Sequence, residues 1–167
     1  MRESDDRPEL PLARPASTLP VGSKNYLTAG GAAKLRDDLA HLVAVERPRL
    51  VAAADDPDAK RQLLALNHRV VALEESLRSA EIVEIPETER KTVLFGATVR
   101  VRHASGEEST YRIVGVDEMD LECGWITWQA PTARALMNRK LGEQVRFKFP
   151  SGEEQLEIIG IDYDAGC

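Results

Sequence analysis

Three aspartates surround a proline in the first half of the chain, where Asp55, Asp56 and Asp58 stand beside Pro57. Carboxylates this close repel one another, and a divalent cation would relieve that repulsion. The same Asp-Asp-Pro-Asp pattern is typical of a polar turn whose carboxylates cap the positive N-terminus of the next helix. The residues alone leave both interpretations open.

Helical patterns flank the aspartates on both sides. On the N-terminal side, leucines at positions 35, 39 and 42 recur at spacings of four and three, which predicts one apolar helix face. On the C-terminal side, the alternation of three and four continues for nearly three heptads, through Leu63, Leu66, Val70, Leu73, Leu77 and Ala80. A seam of this kind must be buried against another helix, and the nearest one is the preceding helix.

The sequence therefore predicts an antiparallel coiled-coil hairpin that turns at residues 54–58. Thr28 is the expected N-cap of the first helix, because its hydroxyl can accept from an orphaned amide. Pro48 is expected to kink that helix, since it removes a hydrogen bond and crowds the preceding turn. Asp56 precedes proline and is pushed out of the helical region, so the second helix is expected to begin at Pro57.

After residue 91 the apolar period changes from 3.6 to 2. Alternation around Ser105-Gly106 predicts one β-hairpin, and two further strands are expected across Ser151-Gly152. Between the two hairpins lie an expected strand that includes Trp125 and Trp128 and a short helix introduced by Pro131. The fold class predicted for the whole chain is α+β, with a helical hairpin followed by a small α+β domain of four or five strands.

Composition limits the functions that are open to the chain. Its 167 residues carry a net charge of −6 and are 43% hydrophobic, and no segment is basic overall. Because duplex binding depends on Lys and Arg neutralising phosphates, a free-standing DNA-binding protein is disfavoured. Cys123 and Cys167 lack the C-x-x-C spacing of a zinc or redox site, and we expect free thiols at both. Residues 1–23 contain four prolines and no apolar period, which predicts a flexible tail.

Several separated segments resemble the bacterial GreA/GreB family of transcript cleavage factors. In the second half these are "FGATVRV", "YRIVGVDEMD", "GWITWQAPTARALMNRKLGEQVRF" and "EIIGIDY". In the first half, "LTAGGAAKLRDDLAHLVAVERP" resembles the first arm of the family's coiled coil. The resemblance implies a coiled-coil finger over residues 24–85 and an FKBP-like docking domain over residues 91–167. A prolyl isomerase activity is disfavoured, since fold does not imply function and the domain has few aromatic residues.

The resemblance also implies a partner and a chemistry. The head of such factors grips the rim of the secondary channel of RNA polymerase, and acidic residues at the finger tip reach the polymerase active site. Asp55 and Asp58 would then be the catalytic carboxylates, and Asp55, Asp56 and Asp58 would ligate Mg²⁺ only in the complex with polymerase. Carboxylate oxygens are the ligands that Mg²⁺ prefers in two-metal phosphodiester hydrolysis. The protein would have no cofactor of its own and would share the Mg²⁺ of the polymerase.

Two departures from the family pattern concern the finger. Asp55 and Asp58 keep the family's i, i+3 spacing, but Asp58 replaces a glutamate and Ala59 replaces an asparagine. The stretch from Arg49 to Asn67 is 19 residues, roughly a dozen fewer than the resemblance leads one to expect. At about 1.5 Å per helical residue, the finger would be shorter by on the order of 10 Å.

Two further groups of residues are candidate contacts. The resemblance suggests a polymerase-binding set that comprises Asp117, Glu118, Gln129, Pro131 and Arg134. Gln129-Ala130 replaces the acidic residue and serine that the family places before this proline. We therefore expect association with polymerase to be weaker, or to depend on other carboxylates such as Asp117, Glu118 and Asp120. Basic residues at positions 47, 49, 60 and 61 of the hairpin (Arg47, Arg49, Lys60 and Arg61) would lie near the 3′ end of the nascent RNA. A solvated helix face is the alternative, because acids are interleaved with them.

The expected function is that of a monomeric, cytoplasmic elongation factor that binds RNA polymerase and stimulates its Mg²⁺-dependent cleavage of backtracked transcripts. It would not itself be an enzyme, would contact nascent RNA only indirectly and would have no membrane partner. The alternative is a non-catalytic regulator of the secondary channel, or a Gre antagonist, whose finger is too short for cleavage.

Overall fold

The fold consists of a helical hairpin followed by a domain built on a β-sheet. The computed structural model describes residue 19 and residues 22–85 and 91–164. Most of the tail predicted over residues 1–23 lies outside the described residues. The predicted α+β class, with its N-terminal helical hairpin, is confirmed. No helix in the described part of the chain is both long and apolar enough to cross a membrane.

The bounds of the elements are as follows. The hairpin region contains β1 (Asn25–Thr28), α1 (Ala29–His41), a π-helical stretch (Leu42–Glu46), α2 (Arg47–Ala52), α3 (Pro57–Ser79) and β2 (Ala80–Val83). The sheet domain contains β3 (Thr98–His103), β4 (Glu108–Val114), a 3₁₀ turn (Val116–Glu118), β5 (Trp125–Thr127), α4 (Pro131–Leu136), β6 (Gln144–Phe149) and β7 (Gly152–Asp162).

The first arm of the hairpin begins and bends as its sequence dictates. Thr28 is the N-cap of α1, and its hydroxyl accepts from the Gly31 N–H at 3.0 Å, as predicted. Where a kink was predicted at Pro48, the π-helical stretch lies immediately before it, and the Arg47 N–H donates to the Leu42 carbonyl. Proline has no N–H for the carbonyl four residues earlier and crowds it, so a wider turn at this point removes the conflict.

The apolar seam between the two arms is confirmed. Leu66 and Val70 of α3 are only 8% and 6% exposed, and they cluster with Leu50 of the first arm. Nearer the base, Leu73 and Leu77 pack around the buried Leu35. Ala80 was expected to be the last seam residue of this helix, but α3 ends at Ser79 and Ala80 begins β2. Ala80 still packs in the basal cluster.

A short parallel pair of strands closes the base of the hairpin, and the sequence did not predict it. Asn25 of β1 pairs with Ala80 of β2, and the register continues to Thr28 and Val83. Parallel strands need a long crossover connection. Here the whole helical hairpin is that connection, so both arms are fixed at their base.

The second half is a five-stranded sheet in the order β5-β4-β3-β7-β6. Only β4 and β5 are parallel to each other, and the two predicted β-hairpins are confirmed. Gly106 has a φ of +89°, which the first of these turns requires. Helix α4 buries Ala133 and Leu136 in the main core. Trp128 was expected within a strand, but β5 ends at Thr127, and Trp128 packs against the core just beyond it.

Leu66 and Leu64 provide a test of the seam, because they lie on the same helix and are 8% and 60% exposed. We expect Leu66→Ala to lower the free energy of unfolding by about 2–3 kcal/mol, since it removes buried apolar contacts. Leu64→Ala should change it by less than about 0.5 kcal/mol. Chemical unfolding followed by helical circular dichroism measures both. Equal effects of the two substitutions would contradict the assigned seam.

Candidate functional site

The tip of the hairpin is a turn between α2 and α3. Asp56 is extended, with φ −83° and ψ 125°, and α3 begins at Pro57. The Asp56 carboxylate accepts from the Asp58 N–H at 3.0 Å, so it caps the helix. The interpretation of the aspartates as a capped polar turn is therefore correct for Asp56. It does not account for the other two carboxylates.

The three aspartates at the tip differ in what they contact, although all are exposed. Asp58 forms an ion pair with Arg61, one helical turn later. Within the part of the chain that the structure describes, the Asp55 carboxylate has no hydrogen-bond or ion-pair partner. The described residues contain no group of three or more His, Cys, Asp or Glu side chains that could hold a metal ion. The tip therefore offers one free carboxylate and no complete metal site.

The predicted RNA-proximal cations are all exposed on the two arms near the tip. Arg49 pairs with Glu46 at 2.6 Å, and Arg61 pairs with Asp58. Arg47 and Lys60 have no ion-pair partner among the described residues. Half of the predicted set is thus already neutralised by neighbouring carboxylates.

Three of the predicted docking residues lie in α4 or just before it. Pro131 occupies the first turn of the helix and is exposed, and Arg134 is exposed one turn later. Gln129 is half-buried just before them, beyond the end of β5. Side chains at i and i+3 share a helix face, so Pro131 and Arg134 form one small exposed surface.

Two predicted docking residues remain, Asp117 and Glu118, and the Glu118 side chain points into the molecule. It is 8% exposed, and its carboxylate accepts hydrogen bonds from the Thr28 N–H at 3.0 Å and from the Gly115 N–H at 2.9 Å. The Thr28 hydroxyl also donates to it. A carboxylate with three internal donors has little capacity left for a partner. The docking role of Glu118 stays a prediction, and the structure gives this side chain an internal set of contacts that the sequence did not predict.

Asp117 is also directed towards the hairpin. Its carboxylate accepts from the Ser76 hydroxyl of α3 and from the Asn25 amide at 3.4 Å. Asn25 in turn donates to the Ser76 carbonyl at 3.1 Å. Asp117 is half-buried, whereas Asn25 and Ser76 are buried. The Asp117-Glu118 pair therefore contacts the base of both arms.

Two glycines make room for these contacts. A Cβ on Gly31 would lie 1.8 Å from the Glu118 Oε1 atom, and a Cβ on Gly115 would lie 2.0 Å from the Tyr26 carbonyl oxygen. Neither distance is possible between atoms that are not bonded to each other. Only glycine allows α1 and the 3₁₀ turn to approach the carboxylate this closely.

Arg112 supplies a compensating charge for Glu118. It is 5% exposed, and burial lowers the pKa of its guanidinium whereas the negative charge of Glu118 raises it. The guanidinium also lies over the Trp125 ring, 4.9 Å from its centroid. The buried Glu118 carboxylate therefore lies close enough to the buried Arg112 guanidinium to interact with it. This attraction reduces the free-energy cost of removing both charges from water.

Cys123 corrects another expectation of the sequence. It is disulfide-bonded in the structure, so the prediction of a free thiol there is wrong. The absence of C-x-x-C spacing, on which that prediction rested, does not exclude a disulfide between residues that are distant in the sequence. Cys167 lies outside the described residues.

Comparison with known proteins identifies similar chains. Residues 87–163 match the family described as "Transcription elongation factor, GreA/GreB, C-term". The chain is 36% identical to transcription elongation factor GreB of Neisseria meningitidis serogroup A, over 84% of this chain and 95% of that protein. It is also 36% identical to transcription elongation factor GreA of Alkalilimnicola ehrlichii, over 84% and 99%. A solved GreA/GreB structure from Nitrosomonas europaea has 23% identity and a TM-score of 0.42, with 84% and 99% covered.

The alignment with the Neisseria protein also bears on length. It runs over 156 positions but includes only 84% of the 167 residues of this chain, which is about 140. This chain therefore has at most about 16 fewer residues than its relative within the matched region. That limit leaves room for the dozen residues by which the hairpin is predicted to be shorter.

Gly30 and Gly31 form a matched pair for testing the contact with Glu118. A Cβ on Gly30 meets nothing within 4 Å, whereas one on Gly31 meets the carboxylate. We expect Gly31→Ala to lower the free energy of unfolding by about 2 kcal/mol, because the displaced carboxylate loses charged hydrogen bonds. Gly30→Ala should be neutral or stabilising by up to about 1 kcal/mol. Thermal and urea unfolding compare the two, and equal responses would refute the assigned contact.

Proposed function

Because the chain belongs to the GreA/GreB family of transcription elongation factors, we propose that it binds RNA polymerase and stimulates the polymerase's own cleavage of backtracked transcripts. The sheet domain, FKBP-like by family resemblance, docks at the rim of the secondary channel, and the hairpin enters the channel as a finger. The nuclease activity belongs to the polymerase, so the protein is an accessory factor and has no cofactor of its own. It acts as a cytoplasmic monomer.

The observation that carries the proposal is the free carboxylate of Asp55 at the end of a rigid arm. Helix α3 has 23 residues and is therefore about 34 Å long. Its seam is buried against the first arm, so the tip is held away from the base of the finger. A carboxylate presented in this way can be inserted into a narrow channel of another protein.

The donor chemistry at the tip fits Mg²⁺, although this chain alone does not complete a site. Mg²⁺ in enzymes keeps several waters and is bound by one or two carboxylates together with phosphates of the substrate. Asp55 would supply one such carboxylate, and Asp58 would supply a second once Arg61 releases it. When bound, the ion would polarise the phosphodiester and lower the pKa of the attacking water.

The exposed surface formed by Pro131 and Arg134, together with Gln129, is the proposed contact with the channel rim. Arg47 and Lys60 are the unpaired cations near the tip, and they would approach the phosphates of the RNA 3′ segment. Asp56 stays a helix cap in this proposal. Its carboxylate is needed for the turn that presents Asp55.

Cleavage of a stalled, backtracked elongation complex in the presence of Mg²⁺ tests the proposal. Short 3′ RNA products are expected with the wild-type protein. We expect Asp55→Asn to reduce the cleavage rate about 100-fold, since loss of a metal ligand removes several kcal/mol of transition-state stabilisation. Binding to polymerase should be unchanged, because Asp55 lies far from the docking surface.

Asp37→Asn is the matched control, since it makes the same charge change at an exposed position on α1, away from the tip. It should retain the wild-type cleavage rate. If both variants cleave as fast as the wild type, Asp55 has no role in the reaction. If the wild-type protein binds polymerase but gives no products, cleavage itself is excluded.

The second candidate is a non-catalytic regulator of the secondary channel. It is favoured by the engagement of Asp58 with Arg61 and by the shorter hairpin that the sequence predicts. In that case the protein should slow RNA cleavage stimulated by an added GreB, with an inhibition that rises with its concentration. A protein that cleaves on its own and does not inhibit GreB would contradict this alternative.

A further inference from the structure

We propose that Asp117 and Glu118 are positioning residues that fix the direction of the finger relative to the sheet domain, and we call this pair with its contacts the clasp. The consequence for transcript cleavage rests on the proposed function. The clasp itself does not, because its contacts lie within this chain. It assigns an internal role to two carboxylates that the sequence suggested as contacts for polymerase.

Glu118 holds the start of the first arm. A helix begins with backbone N–H groups that have no partner within the helix, and a glutamate at its third position commonly reaches back to the N-cap N–H. In α1 that third position is Gly31, which has no side chain to do so. Glu118 supplies the missing carboxylate from 90 residues away in the chain. The same carboxylate accepts from Gly115, so one group joins the sheet domain to the N-terminus of the finger.

Asp117 holds the end of the second arm. Its bond with the Ser76 hydroxyl lies in the last turn of α3, next to the point at which the chain leaves the hairpin. The two arms are therefore held by neighbouring carboxylates on a single 3₁₀ turn. Any rotation of the finger that moves either arm away from this turn would lengthen one of these bonds.

Apolar packing at the base does not provide this directionality by itself. Tyr26, Val83 and Ile85 pack against the core of the sheet domain. Contacts of this kind favour burial but depend little on angle. Hydrogen bonds to a charged group weaken steeply with misalignment, and leaving the group buried and unpaired is costly. The clasp selects one orientation among those that apolar burial allows.

The clasp is also continuous with the proposed docking surface. Tyr26 of β1 meets the Trp128 ring edge-on at 5.4 Å, and Trp128 directly precedes Gln129. Arg112 links Glu118 to Trp125, which lies on the strand that leads into the docking segment. A polymerase that fixes this segment would thereby fix the base of the finger and, through the clasp, the direction of the tip.

The distance between the tip and the sheet domain tests the clasp directly, without polymerase. Spin labels on unnatural amino acids at the exposed positions Ala53 and Ala104 report that distance and leave the cysteines untouched. We expect one narrow distribution for the wild-type protein. Glu118→Ala should broaden it or shift it, and Glu122→Ala, which removes an exposed carboxylate four residues later, should not. Identical distributions for all three proteins would overturn the proposal.

Ser76→Ala provides a milder test that leaves the cap of α1 and the core intact. It releases Asp117 from the second arm, and we expect it to broaden the distribution less than Glu118→Ala does. The double variant should broaden it more than either single change. An unchanged distribution for Ser76→Ala would exclude the bond between Ser76 and Asp117 from the clasp, even if Glu118→Ala were to unfold the finger base.

A cleavage assay separates positioning from a general loss of structure. When this protein saturates the polymerase, Glu118→Ala should lower the maximal cleavage rate about 10- to 100-fold. The reason is that a misplacement of a reacting group by about 1 Å lowers the reaction rate strongly. The concentration needed for half-maximal binding to polymerase should stay unchanged, since the docking surface is intact. Equal loss of binding and cleavage would contradict a positioning role. If the wild-type protein does not cleave, the proposed function fails, while the distance measurement still decides the clasp.

Discussion

Burial of the Glu118 carboxylate is the constraint on which the arrangement of the two halves depends. A charge removed from water must be matched by donors and by an opposite charge, and the matching groups come from three separate parts of the chain: the N-terminus of α1, the 3₁₀ turn and β4. None of these alone can stabilise it. The charge is therefore satisfied only when the hairpin and the sheet domain are assembled, which couples the stability of the two units.

The tip shows the opposite physical situation. Its aspartates are exposed, and solvent largely screens their mutual repulsion. They therefore lower the stability of the folded chain only slightly. One of them serves as a cap, one is paired with an arginine, and one is left without a partner among the described residues. A group that contributes nothing to the stability of its own chain is free to be used by another protein. Buried contacts thus fix the geometry at the base of the finger, whereas the aspartates at the tip are exposed and available to a partner.

Much of this fold follows from local sequence patterns. The heptad seam, the Asp-Pro turn, the N-cap at Thr28 and the glycine turns each rest on neighbours within a few residues, and each is present in the structure. The FKBP-like character of the sheet domain, suggested only by resemblance, stays a prediction. The β1–β2 pair was missed because four-residue strands carry almost no periodic signal, and their partners are separated by the whole hairpin.

The internal role of Asp117 and Glu118 was missed for the same reason. Their partners in the helical hairpin lie 41 to 92 residues away, and an acidic Asp-Glu pair in a loop is ordinarily solvated. The two consecutive glycines at positions 30 and 31 were the available signal, because glycine at the start of a helix has a low propensity and calls for a steric reason. Gly31 has that reason, and Gly30 does not.

The π-helical stretch before Pro48 has a consequence for how such a finger changes length. The segments of the first arm contain 13, 5 and 6 residues, whereas the second arm has 23, so the arms reach nearly the same level with one residue of difference. Leu42 and Leu50 both face the seam although they are eight positions apart, one more than a heptad. An antiparallel pair of regular helices tolerates insertions and deletions only in matched blocks that keep both seams in phase. A single wide turn absorbs an unmatched residue, so the two arms can gain or lose residues unequally and still present the same tip.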